Sequence, residues 1–452
     1  MVRTVVIVVS VVAAAAVAAG LGVLIWWLVA DHGDGETSII SIRIVYLALF
    51  LAANVAQFAE IAGSGSMFWW FFPSLAEEAS KRPLLLWLDG VTGEPPSLLA
   101  NFGMFGPFDF ELNKRDGSWV DDFNLLFVDA PLGTGFSTLA SDAEVPGDLD
   151  SNTEHLIQTL GSFYERNGEF VETPLYIFGQ GYGAQLAVSL ALGLSKTENI
   201  TTNLKGVVVV NGIISPALAL SQLGFYLEEL AYVDDNGRAA IENFANETKH
   251  LVDEGQLGEA YEKFLSLGEF VNNNAGAVAV NLGQIVEKLT PNSTRDVFGQ
   301  QGYLQSVTGS NVDFNKFMTE TIAPALDISE PVFDSRRNDV IQAFKNNFMR
   351  PATDKVEEIL QSTNLKVTIV NGNLDAVSNT PGQLEWVNNL QWPGQEQFLN
   401  SRRQTLVINR LIYGYFRETE RLTFYWMNAA GLLVPLDTPV AMKRVVQRIV
   451  AN

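Results

Sequence analysis

The stretch LYIFGQGYGA, Leu175 to Ala184, decides the fold. An apolar run enters it, glycines follow at Gly179, Gly181 and Gly183, and a helix-like run from Gly183 to Leu194 begins at once. Strand, tight turn, helix is the layout of a nucleophile elbow, whose working pattern is G-x-S-x-G. Gly181 stands where the serine would stand. Glycine carries no side chain to attack a carbonyl. It also adopts a positive φ without cost, so the turn is kept while its strain is relieved. Read alone, the piece is equally a glycine-rich strand-to-helix turn with no chemistry.

Short apolar runs surround it. Pro83 to Leu88 stops at Asp89-Gly90, Leu125 to Val128 at Asp129, Val207 to Val210 at Asn211-Gly212, and Val367 to Val370 at Asn371-Gly372. Runs of this length, halted by Gly, Asn or Asp, read as strands buried on both faces of a mostly parallel sheet. The aromatic run Met67 to Phe72 reads as another strand, and Asn152 to Glu165 has helical spacing at Leu156, Leu160 and Phe163. This is the rhythm of an open α/β sheet, whose reactive groups sit at the carboxyl ends of the strands. Between Ala217 and Ser335 the strand rhythm stops, and Leu223–Leu230, Ala239–Glu254, Leu257–Leu267 and Val278–Leu289 read as helices of an inserted cap. The expected division is 1–38 anchor and stalk, 39–216 and 336–452 the two parts of one α/β domain, and 217–335 the cap.

Composition narrows the chemistry. The chain has 452 residues, 47% hydrophobic and 18% charged, which excludes a disordered chain. Its net charge of −22 argues against nucleic-acid binding, which needs a basic face. There is no cysteine, so disulfides, thiolate nucleophiles and cysteine-ligated metals are excluded. No metal-ligand or cofactor motif is present. The histidines are His32, His155 and His250, and none follows the last of these.

Val5 to Ala30 is an uncharged run long enough to cross a hydrocarbon core of ~30 Å. Signal-peptide apolar regions are shorter, usually ~7–15 residues. Arg3 precedes the run, while Asp31, Asp34 and Glu36 follow it. The positive-inside rule then predicts a signal anchor with a cytoplasmic N-terminus and the domain in the secretory lumen or outside; cleavage and secretion is the alternative. Glycosylation sequons at Asn199, Asn246 and Asn292 agree with that route. Val45 to Ala53 is too short to span and reads as a buried or interfacial segment.

Beyond the elbow, PLLLWLDGVTGEPPSLLANFGMFGP (Pro83 to Pro107), FNLLFVDAPLGTGFS (Phe123 to Ser137), VTIVNGNLDAVSNTPGQLEWVNNLQW (Val367 to Trp392) and FYWMNAAGLLVPLDTPVAM (Phe424 to Met442) complete an ordered set of motifs. In this set the chain resembles the serine carboxypeptidases, an α/β-hydrolase group, and its retinoid-inducible branch in particular. The resemblance implies an α/β-hydrolase fold with a helical cap. It matches Asp375 to the triad aspartate, but puts Gly181 at the serine and Leu432 at the histidine. Gln180 replaces the glutamate that helps bind a substrate carboxylate, and Asp89 replaces an amide, setting a carboxylate where one should dock. Val91 and Thr92 replace a glycine and a proline of the oxyanion segment. The backbone N–H groups of Val91 and Tyr182 are the remnant oxyanion donors.

A serine hydrolase needs nucleophile, base and orienting acid, and two of the three are missing. The expectation is therefore a membrane-anchored pseudoenzyme that binds a peptide, lipid or protein partner through the old cleft and cap. The alternative is a hydrolase using two of Asp89, Asp129 and Asp375, which would have to lie within hydrogen-bonding distance. A third reading is a structural subunit of a membrane assembly. Leu432 and Leu433 either make the cleft floor apolar or simply pack their loop.

Overall fold

The structure, a computed structural model, describes residues 55–91, 94–276, 279–289, 304–305, 307–308, 312–329, 331–335 and 337–451. The runs Val5–Ala30 and Val45–Ala53, with His32, Thr92 and Asn292, lie outside the described residues. Among those described, no helix is long and apolar enough to cross a membrane.

The strands are β1 (Val55–Ile61), β2 (Gly65–Phe72), β3 (Leu84–Leu88), β4 (Asn124–Val128), β5 (Thr138–Leu139), β6 (Pro174–Gln180), β7 (Asn203–Val210), β8 (Lys366–Gly372), β9 (Gln404–Ile408), β10 (Leu411–Glu418) and β11 (Leu422–Met427). All eleven form one sheet in the order β1-β2-β4-β3-β6-β7-β8-β11-β10-β9, with β5 paired to β2. Strands β4 to β11 of that order run parallel, but both margins are antiparallel. The sheet is thus mixed rather than mostly parallel. The cause lies in the connections. Only a few residues separate β1 from β2, β9 from β10 and β10 from β11, and links so short can join only antiparallel neighbours.

Burial follows the period of two. In β2, Met67, Trp69 and Phe71 face one layer, and Phe68, Trp70 and Phe72 the other. Each face is covered, so the strand reads as an unbroken apolar run, and each fully buried Phe contributes about 2–3 kcal/mol. The longer helices are α1 (Leu149–Arg166), α2 (Gly183–Lys196), α3 (Pro216–Ser221), α4 (Leu223–Glu229), α5 (Asp235–Asp253), α6 (Leu257–Leu265), α7 (Leu267–Asn274), α8 (Thr353–Ser362), α9 (Thr380–Asn389) and α10 (Pro439–Ala451). α1, α2 and α8 cover one face of the sheet; α10 and the turn Leu99–Phe105 cover the other. α2 is buried nearly all round, as expected of a helix sandwiched between a sheet and other helices.

Helices α3 to α7 follow one another between β7 and β8 and share a third apolar cluster. The helix expected over Val278–Leu289 is absent: residues 279–289 form turns and irregular chain. Asn281 explains the change locally. Its side-chain oxygen accepts from the N–H groups of Gly283 and Gln284 at 2.9 and 3.3 Å, a local bond that competes with a helix.

Candidate active site

Five strands deliver the candidate residues to one end of the sheet. β3 ends at Asp89, β6 at the elbow, β7 at Asn211, β8 shortly before Asp375 and β11 shortly before Leu432.

The elbow has the predicted form. Gly181 sits at φ 56°, between β6 and α2. Its N–H donates to Val210 O at 3.2 Å, and its carbonyl accepts from Ile213 N–H at 2.9 Å. The flanking glycines are demanded by close approach. A Cβ on Gly179 would stand 2.2 Å from Gly183 O, and one on Gly183 2.5 Å from Leu88 O.

Asp89 and Gln180 meet. Gln180 Nε2 donates to Asp89 Oδ2 at 2.8 Å, and Gly90 N–H donates to Asp89 Oδ1 at 2.9 Å. Relative to the pattern the resemblance implies, amide and carboxyl have exchanged places, so the pair survives. Asp89 is therefore not a loose charge in the cleft. Burial pushes its carboxyl well above the ordinary range; the bonds from Gln180 and Gly90 oppose this, and the nearby Glu94 charge adds to it.

Val91 is 3% exposed and has φ 53°, an unusual backbone for a β-branched residue. Tyr182 is fully buried, stacked on Phe348 at 4.9 Å and edge-on to Phe344 at 5.2 Å. No hydrogen bond with a described residue occupies the backbone N–H of Val91 or of Tyr182.

Asp375 is fully buried. Its Oδ1 accepts from the N–H groups of Val377 and Ser378 at 2.9 and 3.1 Å. Its Oδ2 has no hydrogen-bond partner among the described residues. Burial raises this carboxyl to about 8 despite the two N–H donors, and the charge of Asp437 pushes the same way. Asp129 is equally buried but fully engaged: Oδ2 accepts from Ser97 Oγ at 2.7 Å and Phe136 N–H at 3.1 Å, and Oδ1 from Ser97 N–H at 3.0 Å. Burial lifts it to about 6. No hydrogen bond joins any two of Asp89, Asp129 and Asp375; each has its own partners. His155 is half-buried on α1, and His250 is exposed on α5.

Leu432 is 8% exposed. Its N–H donates to Gly283 O at 2.7 Å, and its carbonyl accepts from Asn211 Nδ2 at 2.8 Å. Two features here were not read from the sequence. Asn211 lies at φ 43°, which Asn tolerates better than most residues. It ties the Asp375 and Leu432 loops together, bonding Gly431 O at 2.6 Å, Gly372 N–H at 2.7 Å and, through its carbonyl, Ser378 Oγ at 2.9 Å. Its only sequence signal is the Asn-Gly pair ending β7. The second feature is the non-helical segment 279–289. Leu282 O accepts from Ala376 N–H at 2.7 Å, Ile285 N–H donates to Leu374 O at 2.9 Å, and Gln284 Nε2 reaches Asp437 Oδ2 at 2.8 Å. Val280, Leu282 and Ile285 are buried in one apolar cluster with Val91, Tyr182 and Ala376. The chain's own cap therefore bridges both loops that would flank a catalytic histidine.

A cavity of about 450 Å³ lined by Tyr176, Gly206, Lys366, Thr368, Tyr425 and Arg448 opens towards the other, N-terminal ends of these strands. Among the described residues, no cluster of His, Cys, Asp and Glu is arranged to hold a metal ion.

An elbow between a buried strand and a buried helix, with an acid loop after a later strand, defines an α/β-hydrolase scaffold. The comparisons carry this further. Residues 56–452 match the serine carboxypeptidase family, to which the chain belongs. It is 29% identical over 404 residues to the retinoid-inducible serine carboxypeptidase of Rattus norvegicus, covering 85% of this chain and 88% of that one. It is also 29% identical over 417 residues to serine carboxypeptidase-like 51 of Arabidopsis thaliana, covering 86% and 90%. The crystal structure of a prohormone-processing carboxypeptidase from Saccharomyces cerevisiae superposes with a TM-score of 0.74 at 20% identity, covering 88% of this chain and 90% of that one.

Proposed function

We propose that this serine carboxypeptidase-like chain has lost peptidase activity and serves as a membrane-anchored binding or scaffold protein of the secretory route. The observation that carries the reading is the pairing of an elbow that has no nucleophile side chain, at Gly181, with a leucine where the base belongs, held under the segment 279–289. Removing a triad member leaves at most ~10³–10⁴-fold over water, and here two are missing. With its old cleft bridged by its own cap, the chain takes a peptide, lipid or protein partner on its outer surface. The anchor at Val5–Ala30 and glycans on Asn199, Asn246 and Asn292 belong to the same reading; Asn199 and Asn246 are exposed.

One observation favours a second reading. Asp375 holds a proton up to about 8 and has one oxygen without a partner among the described residues, so residual acid chemistry would run through it. The test is to incubate the chain with blocked dipeptides and esters from about pH 4 to 8, beside Asp375→Ala. The proposal expects no turnover above that control. Turnover that vanishes in the control selects the aspartate reading.

A further inference from the structure

The hairpin β9–β10 closes one margin of the sheet. Its two-residue turn, Asn409-Arg410, has φ of 50° and 67°, the tight turn that suits a twisted antiparallel pair. Val407, Leu411 and Ile412 flank the turn at 56%, 60% and 56% exposure. Val407 pairs directly with Ile412, so the two stand side by side on one face. Three large aliphatic side chains at one tip are more than the scattered exposure normal for a surface.

The charge around them is exceptional for this molecule. Acidic residues outnumber basic ones 51 to 29 over the whole chain, yet from Gln397 to Arg417 there is no acid and there are four arginines, Arg402, Arg403, Arg410 and Arg417. Arg402, Arg403 and Arg410 are exposed and form no ion pair with a described residue. Arg403 lies over the Tyr415 ring at 4.3 Å.

We propose that the β9–β10 tip docks on an anionic lipid surface, with Val407, Leu411 and Ile412 entering the acyl boundary and Arg402, Arg403 and Arg410 meeting the headgroups. Apolar insertion with basic flanks is the chemistry of interfacial membrane binding. The aliphatic residues cluster at the turn, while the rest of β9 presents Gln404 and Thr405, which suits penetration rather than strand pairing along the whole edge. The acidic remainder of the molecule is repelled by such a surface, so the basic tip also sets the orientation. β10 runs antiparallel to β11, which puts the turn at the end of the sheet that carries Gly181 and Asp375. Asn428 N–H, just past β11, donates to Tyr413 O at 2.9 Å and ties the hairpin to the Leu432 loop. Docking therefore faces the bridged site towards the lipid. This inference does not depend on the loss of hydrolysis.

The chain has no cysteine, so one introduced thiol gives a unique label. Full-length Ile412→Cys, and separately Val407→Cys, is labelled with an environment-sensitive dye and mixed with vesicles of phosphatidylcholine alone or with phosphatidylserine. Asn246→Cys is the control site, whose signal stays water-like even if the N-terminal segment binds lipid. The expected result is a blue shift and quenching by lipid-borne quenchers only with phosphatidylserine. Arg402→Gln, Arg403→Gln and Arg410→Gln together should weaken insertion on the order of a hundredfold, about fivefold per charge. A water-like signal in both lipids overturns the proposal. So does an equal shift in phosphatidylcholine alone, or a shift without lipid, which would mean that a second copy covers the tip.

Discussion

The turn at Gly181 and the loop at Leu432 lie at the same end of the sheet, and the motif resemblance matches each of them to a catalytic side chain. At Gly181 the side chain is deleted. The backbone keeps φ 56°, and its neighbours still approach so closely that Gly179 and Gly183 admit no Cβ. At Leu432 the side chain is replaced by an aliphatic one, and the loop is held on two sides, by Asn211 and by Gly283. The first change leaves the scaffold's geometry intact. The second places apolar volume beside cap residue Gly283, in a segment whose backbone also bonds the acid loop. The side chains that the resemblance leads one to expect are thus lacking at one point by absence and at the other by replacement, and the two should respond differently to mutation.

The largest effect should come from prising the cap off the Leu432 loop. A Cβ on Gly431 would stand 2.3 Å from Gly283 O and 3.1 Å from Gln284 Cα. Gly431→Ala should therefore lower unfolding stability by about 3 kcal/mol, through overpacking against backbone. Hydrogen exchange at Ala376, Ile285 and Leu432 should rise with it. An unchanged melting temperature would break the claim that this contact is tight.

Next comes Asp375. Its carboxyl titrates at about 8 in the fold, against 3.8 ordinarily. Between those values the native state keeps a proton that the unfolded chain has lost. The contribution of this proton is fully present below about pH 4, falls as pH rises and is gone above about pH 8. Asp375→Asn keeps the Oδ1 acceptor and cannot ionise, so it should be more stable than the natural chain at about pH 8 and nearly equal at about pH 4. Denaturant titrations at the two pH values check this, and a variant that is less stable at both would contradict it.

The elbow should be the more forgiving region. Gly181→Ala forces a Cβ into the left-handed region and should cost only about 1–2 kcal/mol. A loss as large as that of Gly431→Ala would erase the contrast between the two regions.

The sheet's centre was legible because a strand buried on both faces announces itself: the runs at Leu84, Leu125, Leu175, Val207 and Val367 all became strands. The margins were harder. The β9–β10 turn uses Asn409-Arg410 in place of the usual Asn-Gly, and its strands expose apolar residues, so neither turn signal nor alternation marked it. Residues 279–289 misread as helix because their apolar spacing fits one, while their backbone bonds go to loops around residues 374–376 and 432. That Gly181, Asp375 and Leu432 follow strands ending at one side of the sheet was legible through the motifs. The Asp89–Gln180 bond was not, because it joins residues on separate strands.

The smallest expected effect tests the central claim most directly. Gly181→Ser with Leu432→His restores two missing side chains without restoring Gln180, Asp89 or Val91, and without displacing segment 279–289. Assayed on blocked dipeptides beside the natural chain, this double variant should show no peptide cleavage. Robust cleavage by it would contradict the account, because it would show a cleft that had lost only two side chains rather than one closed by its own cap.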